Sequence, residues 1–273
     1  MSGSSEASRP IPFADRALRA SAVFWCVVAA VGIWIFGYYI AALYGVGFVG
    51  GDLDRWNRVL PKGHGYVPGD GRGNVALGIH LLMALVVTLG GVVQLIPVVR
   101  RRVPALHRWN GRLFITVALI AAATGLYIAF SRGAVAGDFM TAGNVINAVL
   151  ILIFGIMAWR QARARRFDSH QRWALRLFVV VLAVWFYRVG MMLWFAANGG
   201  PVGHNDSFTG AFDVFLAFAH VLLPLAVLEL FLLARDRGGA MMKLSMAALL
   251  GLLTLAMGAG VALATMAMWL PRL

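Results

Sequence analysis

Seven long apolar stretches set the pattern of this chain, at roughly residues 21–44, 75–99, 113–130, 142–159, 177–197, 210–233 and 244–270. Short polar connections separate most of them. Each stretch is about long enough to cross ~30 Å of hydrocarbon at ~1.5 Å per residue. The pattern predicts an all-α polytopic bundle of seven transmembrane helices. Residues 1–20 read as a polar tail and 21–273 as a single transmembrane domain. The one long connection, 45–74, is rich in Gly, Pro and Asp and carries Trp56, His64 and Tyr66. A connection of that length reads either as a lid or partner surface, or as a poorly ordered loop.

Composition agrees with lipid as the main solvent. Hydrophobic residues make up 61% of the chain and charged ones 13%, with a mean hydropathy of +0.80. The net charge of +13 is spread over arginine clusters at the ends of stretches rather than gathered in a basic domain. It therefore points to topology signals and anionic lipid, not to nucleic acid.

The side on which those charges fall sets the expected orientation. Seventeen lysines and arginines lie in the tail (Arg9, Arg16, Arg19) and in the connections that would share its side. The second of these runs from Arg100 to Arg112, the third from Arg160 to Arg176, and the fourth holds Arg235, Arg237 and Lys243. Six lie opposite: Arg55, Arg58, Lys62, Arg72, Arg132 and Arg272. Positive residues stay in the cytoplasm, so the N-terminus is expected inside and the C-terminus outside, in a bacterial inner membrane. The first stretch is too long for a signal-peptide core and no clean small-x-small cleavage site follows it. The lone cysteine, Cys26, excludes an internal disulfide or a cysteine-rich metal site and reads as packing.

A short repeat lies inside the pattern. Arg108-Trp109-Asn110-Gly111-Arg112-Leu113-Phe114 matches Arg172-Trp173-Ala174-Leu175-Arg176-Leu177-Phe178 at five of seven positions, and His107 and His170 precede the two copies. Stretches two–three and four–five then read as two copies of one helical hairpin, related by a pseudo-two-fold axis along the membrane normal. The competing reading is that Arg, Trp, Leu and Phe are simply interfacial anchors.

The run Gln94-Leu95-Ile96-Pro97, the three following arginines, and Pro104-x-Leu106-His107-Arg108-x-x-Gly111-Arg112 resemble a bacterial integral-membrane family, domain of unknown function 2306. His80 and Phe167-x-x-His170-x-Arg172-Trp173-Ala174-Leu175-Arg176-Leu177-Phe178 fit the same pattern, over about residues 55–233. His220 is not among the matching positions. The resemblance implies a polytopic bacterial membrane protein and carries no activity with it.

Polar groups at membrane depth are the functional candidates, because burying them in lipid is expensive. In the expected topology His80, Tyr127, Asn144, Asn147, Tyr187, Arg188, Asp213 and His220 all fall in the outer half of the bilayer. Arg188 leads the set, since a guanidinium keeps its charge and must find an anion, carbonyls or water. Asp213 is its expected partner in a helix–helix bridge. The alternative is an outward-open pocket for an anionic or carbonyl-bearing ligand. His80 and His220 could also be axial ligands of a b-type haem, with Arg188 on a propionate. His107, Arg112, His170, Arg176 and Glu229 form a second cluster on the inner face. It reads as a ring that binds headgroups and anchors helices, with Glu229 pairing Arg112 or Arg176, or as a cofactor site between the histidines.

No Walker loop, dinucleotide fingerprint, HExxH or GxSxG is present in the sequence, so the corresponding soluble enzyme chemistries have no support. Whether the protein is an enzyme stays open. Three readings remain: a small-ligand transporter or sensor, a haem or quinone redox protein, and a structural or assembly factor.

Overall fold

The computed structural model describes residues 12–60, 63–135 and 137–273. Arg9, Lys62 and the first part of the tail lie outside the described residues. Helix α1 spans Phe13–Ile40 and runs on through a π-helical turn, Ala41–Gly45, to Val49. Then follow α2 (Gly71–Leu95), α3 (Pro104–Arg132), α4 (Gly137–Arg163), α5 (Phe167–Val181), α6 (Ala183–Ala197), α7 (Ala211–Arg237) and α8 (Ala240–Ala264). A second π-helical turn, Thr265–Trp269, continues α8. Six continuous helices are long and apolar enough to cross a membrane, and α5 with α6 supplies a seventh crossing bent by 53°. The chain is a multi-pass membrane helical bundle. Helix ends alternate between an arginine-rich face and a face that carries the long loop.

The tail shortens. Residues 13–20 belong to α1, because Ala14 and Leu18 are buried and Asp15 pairs with Lys243 at the start of α8, at 2.7 Å. The long connection is ordered over its described part. Trp56 is buried and donates from Nε1 to the Tyr44 carbonyl at 3.1 Å. Asp70 caps α2 by accepting from Gly73 N at 2.9 Å. Arg132, at the end of α3, donates to Asp70 Oδ2 from Nε (3.0 Å) and Nη2 (2.6 Å), and from Nη1 to the Gly65 carbonyl at 2.8 Å.

Proline sets the sharpest boundary. Pro97 forces Ile96 into an extended conformation and stops α2, and Pro104 sits at the first position of α3. The break between α5 and α6 has neither proline nor glycine. Leu182 N bonds the Val179 carbonyl three residues back at 3.2 Å, a tightened turn that follows the β-branched run Val179-Val180-Val181.

The bundle packs α2 on α3, α4 on α5, α1 on α8 and α3 on α4, with α7 lying across α4, α5 and α6. Two glycines allow close approach. A Cβ at Gly143 in α4 would collide with the Ala217 carbonyl of α7. A Cβ at Gly91 in α2 would meet Phe114 at 2.9 Å and Phe178 at 3.2 Å. Those two phenylalanines, equivalent in the sequence repeat, stack on each other with centroids 6.5 Å apart.

Candidate functional site

Arg188 sits one turn into α6. It does not meet Asp213. Its Nη1 donates to the Val184 carbonyl on its own helix at 3.2 Å, and the guanidinium lies over the Phe36 ring of α1 at 5.3 Å. Among the described residues no carboxylate pairs with it. Phe36 is the hub of what surrounds it. Trp269 lies 5.3 Å from Phe36 and 6.1 Å from Tyr39, centroid to centroid. Trp185, one turn before Arg188, packs against α1 at Gly32, a turn from Phe36.

Tyr39, Trp185 and Trp269 are at most 2% exposed. Tyr39 Oη, Trp185 Nε1 and Trp269 Nε1 have no hydrogen-bond partner in the protein. Each can donate, as can the guanidinium. Both π-helical turns and the α5–α6 break flank this constellation; such backbone departures concentrate at functional sites. The sequence signals Arg188 plainly. The aromatic donors around it were missed, because a Trp or Tyr in an apolar stretch reads as core or interface.

Asp213 is satisfied elsewhere, which corrects the expected bridge. His204 Nδ1 donates to its Oδ1 at 2.6 Å, and the amides of Asn205 and Gly210 donate to Oδ2, both at 3.2 Å. His204 is held edge-on to Phe208, at 5.0 Å, and beside Phe195, at 5.3 Å. His204 lies in the connection before α7, nine residues before Asp213, so a loop residue reached the carboxylate that was assigned to a neighbouring helix.

The remaining candidates separate into two groups. His80 Nδ1 donates to the Ala121 carbonyl of α3 at 3.0 Å. Tyr127 is exposed in a groove of about 680 Å³ between α2 and α3, beside Arg72 and Thr124. On the other side, His220 is buried, donates to the Leu216 carbonyl at 2.8 Å, and lies edge-on to Tyr187 at 5.7 Å. Asn144 and Asn147 are a turn apart on the adjoining α4, and Asn147 Oδ1 is buried without a partner. The eight residues do not line one pocket. Periodicity fixed their depth but not the direction each faces. His80 and His220 are also on helices with different neighbours: α2 packs on α3 and α1, and α7 on α4, α5, α6 and α8.

On the arginine-rich face, Arg176 forms a bidentate pair with Glu229, Nε to Oε1 at 2.6 Å and Nη2 to Oε2 at 2.8 Å. Arg112 does not join it and stacks on Trp109 at 4.9 Å, as Arg176 does on Trp173 at 4.8 Å. His170 Nδ1 donates to the Ala158 carbonyl at 2.9 Å, while His107 Nδ1 is buried and unpartnered. No group of three or more His, Cys, Asp or Glu side chains able to hold a metal ion occurs among the described residues.

Fold and site together define a multi-pass membrane protein in which Arg188 lies within a span and, among the described residues, meets no carboxylate. The chain belongs to the family described as predicted membrane protein (DUF2306), which matches residues 77–232. The match ends where the sequence resemblance did and begins later, leaving residues 55–76 outside it. No curated protein and no solved structure matches the chain.

Proposed function

We propose that this protein binds a small anionic ligand at Arg188 and acts as a transporter or sensor in a bacterial inner membrane. The reading places the N-terminus in the cytoplasm and the loop face outside. The observation that carries it is a guanidinium within a membrane-crossing segment that has no carboxylate partner, beside three buried donors that also lack one. Charges at this depth are paired or functional. Three carboxylates are engaged elsewhere: Asp70 with Arg132, Glu229 with Arg176, and Asp213 with His204. Those pairs suit a structural role. Arg188 does not fit that description.

The redox reading rests on His80 and His220 sharing one cofactor, and the packing of their helices does not favour it. An optical spectrum of purified protein, oxidised and reduced, tests it directly. The arginines around residues 100–102 and 160–166 suit anionic headgroups on the cytoplasmic side.

Native mass spectrometry of the detergent-purified protein tests the ligand. The wild type is expected to carry a small anionic adduct that Arg188→Gln lacks. An adduct with the mass of a phospholipid, or one retained by Arg188→Gln, overturns the reading.

A further inference from the structure

We infer that the Arg188 site takes a monovalent, weakly hydrated anion, of the halide, nitrate or aromatic-carboxylate class, and excludes sulfate and phosphate dianions. The inference rests on the proposed anion site at Arg188 and names what that site selects.

Charge stoichiometry is the first argument. Within the span the site holds one permanent charge, the half-buried Arg188. Tyr39 Oη, Trp185 Nε1 and Trp269 Nε1 are neutral donors. One guanidinium balances one negative charge. A dianion would leave a net charge at membrane depth, where an uncompensated ion is strongly disfavoured. Arg272 does not supply the second charge inside the site. It is exposed and its Nη1 donates to the Met268 carbonyl at 3.1 Å. From the loop face it can draw anions inward without joining them.

The walls are the second argument. Phe36, Tyr39 and Trp269 pack together at ring-to-ring distances of 5.3 to 6.1 Å, beside the Arg188 guanidinium over Phe36. Indole and phenol edges carry positive partial charge and offer single, neutral N–H or O–H groups. They cannot replace the dense hydration shell of sulfate or phosphate. They do suit an ion that loses little water on entering, or a carboxylate whose aromatic body prefers an apolar wall. No carboxylate competes for Arg188 among the described residues.

Thermal unfolding of the detergent-purified protein tests this, with sodium gluconate as the reference salt at constant ionic strength. Sodium chloride, nitrate and benzoate are titrated against sodium sulfate and phosphate, for the wild type and Arg188→Gln. The expected result is a saturable rise in Tm with at least one of the monovalent anions in the wild type, absent in Arg188→Gln, and no such rise with sulfate or phosphate. An Arg188-dependent rise with sulfate or phosphate as large as with nitrate overturns the selectivity and leaves the site standing. No Arg188-dependent rise with any anion overturns both. Tyr39→Phe and Trp269→Phe keep the ring volume largely and guard against misfolding of the arginine variant. For whichever monovalent anion raises Tm, each is expected to weaken binding about tenfold, the size of one hydrogen bond to a charged group. Unchanged binding in both variants overturns the inference.

Discussion

At the scale of single residues, the decisive comparison is between ionisable groups that found a charged partner and Arg188, which has none among the described residues. Asp70 shows the first kind. It lies outside the spans, and its carboxyl is held below the usual carboxylate range, first by the Gly73 amide it accepts from and then by Arg132. A folded-state pKa below the unfolded value of ~3.9 means that ionised Asp70 supports the fold above that value and that the support is lost as pH falls through the lower folded value. The structural consequence is local, because Arg132 also holds the Gly65 carbonyl and Asn74 Oδ1. Limited proteolysis by an acid protease, with each rate normalised to an unfolded substrate at the same pH, is therefore expected to cut the 45–70 connection faster below ~3.9 than at about pH 5. Asp70→Asn is expected to be cut at both; equal protection in the variant and the wild type would remove the anchoring role. Arg188 was legible in the sequence because a charge inside an apolar stretch stands out. That no carboxylate meets it among the described residues was not. Depth along a helix follows from counting residues, whereas facing direction depends on how that helix is turned in the bundle. Asp213 accordingly took the histidine of its own preceding loop.

Helices carry the next level of information. Their number and approximate ends follow from apolar length, and Pro97 and Pro104 mark a boundary that composition alone places within a few residues. The bend at Leu182 was not legible, since Val179-Val180-Val181 weakens a helix without announcing a break. Nor were the π-helical turns at Ala41–Gly45 and Thr265–Trp269, which have no sequence signature. Close helix contact is easier to test. Gly143 faces the Ala217 carbonyl with no room for a side chain, and His220 Cε1 is the next neighbour, 3.6 Å from where a Cβ would stand. Gly143→Val must push α4 away from α7, and overpacking of this kind costs ~1–3 kcal/mol. The expected outcome is a lower Tm and a loss of monodispersity on size exclusion. Gly251→Val, where nothing lies within 4 Å of an added Cβ, is the matched control. If both variants behave alike, the α4–α7 contact is not as tight as described.

At the level of the whole molecule, orientation and internal repeat decide which side a ligand comes from. We propose, as the sequence pattern does, that α2–α3 and α4–α5/α6 are copies of one hairpin. Phe114 and Phe178 occupy equivalent positions and touch each other, as residues on a two-fold axis do. Arg112 on Trp109 and Arg176 on Trp173 repeat one cation–π pair. At the same offset Gly91 corresponds to Gly155 and His80 to Asn144. On that proposal the two hairpins differ where Arg188 lies: α3 is continuous, but its counterpart is broken into α5 and α6. If the hairpins are copies, one half broken beside Arg188 suits one ligand rather than two. Orientation can be tested with the lone native thiol removed. In a Cys26→Ala background, Asn205→Cys on the loop face and Arg101→Cys on the arginine-rich face are each treated with a membrane-impermeant maleimide, in spheroplasts and after lysis. The 17-to-6 distribution of lysine and arginine predicts that the cysteine at 205 labels in spheroplasts and the cysteine at 101 only after lysis. The reverse pattern would place Arg272 and the Arg188 site toward the cytoplasm. The same anion would then reach its site from inside, and a sensor or exporter of a cytoplasmic anion would replace a receiver of an external one.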